Sequence, residues 1–157
     1  MNKKEIREIE NESIKKFMES NSQFLKGRVL DFGAGKMPYK DLVNGVYVPF
    51  DKLYSEEFPL DKYDAIMCNQ VLQYLLRPDT LLREFANWLK PGGYLVMTYP
   101  TCWEEVEGDD IYRFTKNGME LLLAANGFEI IKHERRCYLP FEDFNLSIGY
   151  GIVARKR

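Results

Sequence analysis

The sequence has no apolar run close to the roughly 20 residues that a membrane-spanning helix requires, and its start, Met1-Asn2-Lys3-Lys4-Glu5, is followed by no apolar signal-peptide core. A cytoplasmic protein with no membrane partner is expected. Basic charge is not in excess either, since 22 Lys and Arg face 24 Asp and Glu for a formal charge of -2. A surface that tracks phosphates needs such an excess, so nucleic acid is not an expected partner. Cysteine and histidine are scarce: Cys68, Cys102 and Cys137 show no C-x-x-C spacing, and His133 is the only imidazole. No metal site is expected from that set. A nucleophile triad would have to run through His133, which lies in an alternating stretch and reads as a surface or edge-strand residue.

What is present is one domain's worth of chain. The 157 residues, 45% hydrophobic and 14% aromatic, suffice for a single core over residues 1–157, with residues 1–26 as an N-terminal packing helix. Ile6, Ile9, Ile14, Phe17, Met18, Phe24 and Leu25 recur at helical spacing, with Gly27 as the expected stop. Arg28 to Gly35 reads as a buried strand entering a glycine turn, Pro38 to Val43 as a helix of barely two turns, and Val46 to Asp51 as a strand that Pro49 sends to a sheet edge. Tyr63 to Asn69 is a third strand and Val71 to Leu76 a short helix. Leu81, Leu82, Phe85, Trp88 and Leu89 mark a longer helix after Asp79 or Thr80, closed by Pro91-Gly92-Gly93. Tyr94 to Tyr99 is a fourth strand, and Met119 to Ala125 a helix capped by Thr115 and stopped by Asn126-Gly127. Phe128 to Cys137 and Leu146 to Ala154 follow without a helix between them, as an antiparallel pair. The alternation predicts a three-layer α/β/α, doubly wound and mostly parallel sheet of Rossmann-like type, ordered second, first, third, fourth strand, then the terminal pair.

In such a sheet ligands sit outside the carboxyl ends of the strands, where the first strand delivers Asp31-Phe32-Gly33-Ala34-Gly35. Sixteen residues past Gly35, Asp51 ends the second strand, a position from which a carboxylate can accept hydrogen bonds from both hydroxyls of a ribose. Together they form an adenosine-binding pattern. A tight turn beside a solvated strand end explains the same residues without a ligand, because G-x-G alone is weak. A dinucleotide fingerprint would place glycine at position 38, where this chain has Pro38. S-adenosylmethionine has no phosphates and makes no such demand, and Asp31 would face its positive charge.

The chain resembles the class I S-adenosylmethionine-dependent methyltransferases over about residues 27 to 131. The likeness is to the small-molecule, type 11-like branch linked to sugars and polysaccharides. Val29 to Tyr39 looks like the family's first motif, Asp64 to Leu72 like its fourth strand, and Leu89 to Val96 like the turn into its fifth. Asp110-Ile111-Tyr112-Arg113-Phe114-Thr115 is similar to a D-x-Y-R-F-T segment of the sugar-linked branch. The resemblance implies methyl transfer from S-adenosylmethionine to a small-molecule acceptor, a sugar or nucleotide-sugar. Gly33, Ala34 and Gly35 would line the methionine end, Asp51 would hold the ribose, and Asn69 and Gln70 would pass beside the sulfonium. The acceptor would lie among Tyr39, Trp103, Asp110, Tyr112 and Arg113.

The chain departs from the family at two places. Between Asp51 and Asp61 it is too short for the usual helix and strand, so the adenine pocket is expected to lack one wall unless a second copy in a homodimer supplies it. Where relatives carry Glu-His after the fourth strand, this chain has Gln73-Tyr74, and no residue is assigned as a general base. The acidic run Glu104, Glu105, Glu107, Asp109 and Asp110 reads mostly as a solvated loop. Arg113 suits either an anionic acceptor or a structural ion pair. Two other readings compete with the enzyme: a noncatalytic module that keeps this fold for binding or assembly, and a nicotinamide-dependent oxidoreductase, against which Pro38 stands.

Overall fold

The computed structural model describes residues 2–52, 55, 57, 61–104, 108, 110–141 and 144–157, with side chains excluded at 138–141 and 144–146. Three helices, α1 (Lys3–Ser20), α2 (Pro78–Trp88) and α3 (Lys116–Ala125), accompany six strands: β1 (Lys26–Phe32), β2 (Asn44–Phe50), β3 (Tyr63–Asn69), β4 (Leu89–Pro100), β5 (Phe128–Phe141) and β6 (Phe144–Lys156). The sheet runs β2-β1-β3-β4-β6-β5. The first four strands are parallel, and β6 lies antiparallel to both β4 and β5. This is the expected Rossmann-like order, with Pro49 on β2, one of the two edge strands among the described residues. Most of the shortened linker, residues 53, 54, 56 and 58–60, lies outside the described residues, as do Glu105, Glu107 and Asp109.

Alternation along the strands splits the core into two layers. Leu30, Ile66, Leu95 and Met97 pack with Leu82 and Phe85 of α2 and Met119 and Leu123 of α3. On the opposite face, Val29, Ala65, Met67 and Val96 pack with Ile14, Phe17 and Met18 of α1. Asn2 and Glu5 start α1 with a reciprocal capping box, each side chain accepting the other's backbone N–H at 3.0 and 2.8 Å. The helix stops at Asn21 rather than at Gly27, because the Asn21 side chain donates to the Phe17 carbonyl (2.7 Å) and ends the ladder. Gly27 instead opens β1 opposite Gly45 at φ +76°, where a Cβ would strike the Asp64 carboxylate.

Two expected helices are 3-10 turns. Lys40–Leu42 stands in place of 38–43, since Met37 is left-handed at φ +58° and six residues closed by an extended Val43 are too few to nucleate α-helix. Leu72–Tyr74 replaces 71–76 for the same reason of length. α2 begins at Pro78, one residue before Asp79 and two before Thr80, with the proline in its first turn, where a missing N–H costs nothing. Pro91-Gly92-Gly93 does not close α2, which ends at Trp88. It lies within β4, where the register shifts: Tyr63 pairs with Leu89 and Ala65 already with Tyr94.

Candidate active site

The carboxyl ends of β1, β2 and β3 converge on the loop 33–37. Gly33 and Ala34 both donate their N–H to the Phe50 carbonyl at 2.8 and 3.1 Å, and the Gly35 N–H donates to Asp51 Oδ2 at 3.0 Å. The loop is thereby bound to the end of β2 at three points. Gly33 (φ +79°) and Gly35 (φ +49°) adopt left-handed backbone, and they serve different ends. A Cβ at Gly33 would collide with the Val71 side chain, whereas one at Gly35 would meet no atom of the described residues within 4 Å.

Beside this loop lies a cleft of about 380 Å³, lined by Gly33, Asp51, Asn69 and Gln70 among the expected residues and by Lys52 and Tyr74 among those not foreseen. Its volume falls in the range of small-molecule sites. Asp31, Ala34 and Gly35 do not line it; Asp31 is 2% exposed and accepts the Tyr47 hydroxyl at 2.7 Å. Burial pushes the Asp31 carboxyl up to about 6, the Tyr47 hydrogen bond opposes the rise and the nearby Asp51 charge adds to it. Tyr47 carries no motif signal; its place opposite Val29 on the neighbouring parallel strand brings it to Asp31.

The cleft floor is a chain of amides. Gln70, at φ +56°, donates from Nε2 to Thr98 Oγ1 (3.2 Å), and Thr98 donates to Asn69 Oδ1 (2.9 Å). Gln73 donates from Nε2 to the Gln70 carbonyl at 3.0 Å, and its own carbonyl accepts the N–H groups of Ile111 and Tyr112 at 2.8 and 3.1 Å. Gln73 is thus the joint between the cofactor-side loop and the expected acceptor segment, a role its sequence position does not signal. The Tyr112 hydroxyl donates to the Leu76 carbonyl at 3.3 Å, leaving Tyr74, Leu76, Ile111 and Tyr112 as exposed apolar surface on these two linked segments.

The other expected acceptor residues divide. Arg113 Nη2 donates to Asp110 Oδ2 (2.6 Å) and to the Glu104 carbonyl (3.1 Å), which makes this pair part of the loop's own structure. Trp103 is half-buried on the same loop. Tyr39 packs on the α1 face, where burial raises its pKa, Arg136 lowers it and Asp31 raises it. Glu104, exposed as expected, pairs with Lys3 (2.7 Å) and Arg7 (2.6 Å), which ties the loop to α1.

His133 lies on β5, an edge strand as expected, yet it is not at the surface. Its side chain is 4% exposed, Nδ1 lies 2.7 Å from Glu120 Oε1 and Nε2 lies 2.8 Å from the Tyr99 hydroxyl. Neutral imidazole satisfies both by donating from Nδ1 and accepting the Tyr99 proton at Nε2. Burial lowers the pKa from 6.5, the Glu120 hydrogen bond and charge oppose, and Lys116 lowers it further. The unfolded chain therefore takes the proton first, and this contribution to stability is complete above about pH 6.5 and is lost as pH falls through the folded pKa. Urea midpoints of the protein and His133→Gln are expected to differ more at pH 8 than at pH 5. A difference independent of pH would exclude His133 as the titrating group.

Comparison with known proteins agrees with this architecture. No curated protein sequence is significantly similar to the chain. A methyltransferase of Archaeoglobus fulgidus, S-adenosylmethionine-dependent, superposes with TM-score 0.68 at 15% identity over 92% of this chain and 94% of the other. One from Mesorhizobium loti, also S-adenosylmethionine-dependent, gives 0.64 at 16% identity over 84% and 92%. The [4+2]-cyclase SpnF shares the fold at TM-score 0.61 and 20% identity, over 92% and 81%. Identities this low establish fold alone, and the assignment of family rests on sequence. Residues 4–133 match the family described as a methyltransferase domain, and with the glycine loop, the strand-end carboxylate and the sheet order in place, the chain belongs to the methyltransferase domain family.

Proposed function

We propose that the chain binds S-adenosylmethionine in the cleft at Gly33, Asp51, Asn69 and Gln70 and transfers its methyl group to a small-molecule acceptor, a sugar or nucleotide-sugar. The observation that carries this reading is the bond from the Gly35 N–H to Asp51 Oδ2, which joins the glycine loop and the strand-end carboxylate into one unit beside the cleft. The family match and the S-adenosylmethionine-dependent neighbours support the cofactor. The residues present fit it: Asp31 and Asp51 supply negative charge for an ammonium and a sulfonium, and, among the described residues, Gly35 leaves open space and the buried Asn69 Nδ2 has no hydrogen-bond partner.

When bound, the cofactor supplies a methyl group on a positively charged sulfur. Asp51 would accept hydrogen bonds from vicinal ribose hydroxyls, and Gly35 would let the backbone approach without a side chain intervening. Asp31 would balance the cationic end. Catalysis then comes mainly from alignment: the acceptor oxygen would take the methyl group, S-adenosylhomocysteine would be the leaving group, and the hydroxyl proton would pass to solvent, with no group of this chain assigned as a base. Support for a sugar acceptor comes from the exposed rings of Tyr74 and Tyr112, flat apolar faces on two segments joined through Gln73.

Calorimetric titration with S-adenosylmethionine and S-adenosylhomocysteine tests the reading. Saturable binding of both is expected, and Asp51→Ala should weaken it about tenfold or more, since each charge-assisted hydrogen bond contributes roughly 1.5 to 3 kcal/mol before solvent competes. The melting temperature without ligand should barely change, because the Gly35 bond to Asp51 is exposed. A protein that binds neither compound would favour the noncatalytic module.

A further inference from the structure

Thr98, on β4, is 1% exposed and touches nothing outside the protein, yet its hydroxyl sits between the two amides that floor the cleft. A hydroxyl has one proton to give. Here it gives that proton to Asn69 Oδ1 and receives one from Gln70 Nε2. The hydroxyl thereby ties two side chains that line the cleft to one buried point on β4. In the observed arrangement the oxygen of Asn69 is engaged, and its Nδ2, buried and without a hydrogen-bond partner among the described residues, is the group left over for a ligand. An unmatched buried donor is costly, and a ligand acceptor at this point would relieve that cost.

We propose that Thr98 is a positioning residue of the cofactor cleft: its hydroxyl, accepting from Gln70 Nε2 and donating to Asn69 Oδ1, holds the two side chains in the observed arrangement, in which Asn69 Nδ2 remains for the bound ligand. The inference rests on the cleft being the S-adenosylmethionine site proposed above. Neither the strand pattern nor the motif points to Thr98, since an inward threonine on a buried strand reads as packing. What singles it out is the convergence of β3 and β4, which sets Asn69 directly opposite Thr98 in the parallel register.

The test compares the protein with Thr98→Val, which keeps the shape and removes the hydroxyl, and Thr98→Ser, which keeps the hydroxyl. Affinity for S-adenosylhomocysteine should fall about five- to tenfold in Thr98→Val and return to within about twofold in Thr98→Ser. In the ligand-free protein, the side-chain amide signal of Asn69 should shift and gain picosecond-to-nanosecond mobility in Thr98→Val and recover in Thr98→Ser. A merely structural threonine would change the melting temperature and leave that amide alone. Thr98→Ala serves in the same role should the valine variant not fold. If the parent binds and Thr98→Val binds equally well, or if the Asn69 amide is unmoved, the inference about Thr98 falls while the cofactor site stands. If the parent itself binds no S-adenosylhomocysteine, the site assignment falls and this inference with it.

Discussion

Asp31→Asn is expected to make the free protein more stable at pH 8 and to weaken its hold on S-adenosylmethionine. The folded state keeps a proton on Asp31 up to about pH 6, against an ordinary value of 3.8, chiefly because the carboxyl is buried. For a carboxylate whose folded pKa is raised, the folded state binds more protons than the unfolded between the two values, so stability declines as pH rises from about 3.8 through about 6 and stays lower above. At about 1.4 kcal/mol per unit, that cost is on the order of 3 kcal/mol at pH 8. Asparagine carries no charge and can still accept the Tyr47 hydroxyl. A gain of about 1 to 3 kcal/mol at pH 8, vanishing below about pH 4, is the expected result of denaturant titrations. Binding should respond in the opposite sense. A cationic ligand favours the ionised carboxylate, so the affinity of the parent should drop as pH falls below about 6, while the variant binds about tenfold or more weakly at pH 8 with little pH dependence. An asparagine variant less stable than the parent at pH 8 would show that the carboxylate supports the fold rather than the ligand.

Valine at the two loop glycines should produce two different failures. At Gly33 a side chain meets both a left-handed backbone and the Val71 side chain, so strain of about 1 to 3 kcal/mol adds to a similar overpacking cost, and Gly33→Val should lose much of its cooperative unfolding. At Gly35 the space is open, so the cost to the fold is the backbone strain alone, about 1 to 2 kcal/mol. Gly35→Val should therefore remain folded by circular dichroism. It should nevertheless show no measurable S-adenosylmethionine binding, because relaxing φ from +49° turns the N–H away from Asp51 and brings branched carbons to the loop. A folded Gly35→Val protein with parental affinity would place the cofactor elsewhere.

The features legible in the chain were local. Tyr63–Asn69 is a strand because a buried parallel strand is a short continuous apolar run, and the structure keeps those boundaries. Thr115 caps α3 through a bond to the Gly118 N–H, as a threonine ahead of a helical apolar pattern should. Strand order followed from alternating strands and helices together with Pro49, which cannot complete an interior ladder.

Tertiary structure decided what depends on partners far apart in sequence. Glu10 and Ser13 lie on the buried side of α1 because Arg136, its side chain 0% exposed, donates to Ser13 Oγ (2.8 Å) and Glu10 Oε1 (3.4 Å) across more than 120 residues of chain. His133 is interior because Glu120 and Tyr99 satisfy both its nitrogens. Asp31 is held by Tyr47 from the next strand, and Thr98 reaches Asn69 and Gln70 only through the β3–β4 register. Hydrophobic periodicity records which face of an element is buried, so the sequence by itself determined the strands, the layers and the glycine loop with its carboxylate. A polar group's burial, protonation and hydrogen-bond direction depend on atoms that only the packed sheet brings within about 3 Å, and local sequence carries no signal for them.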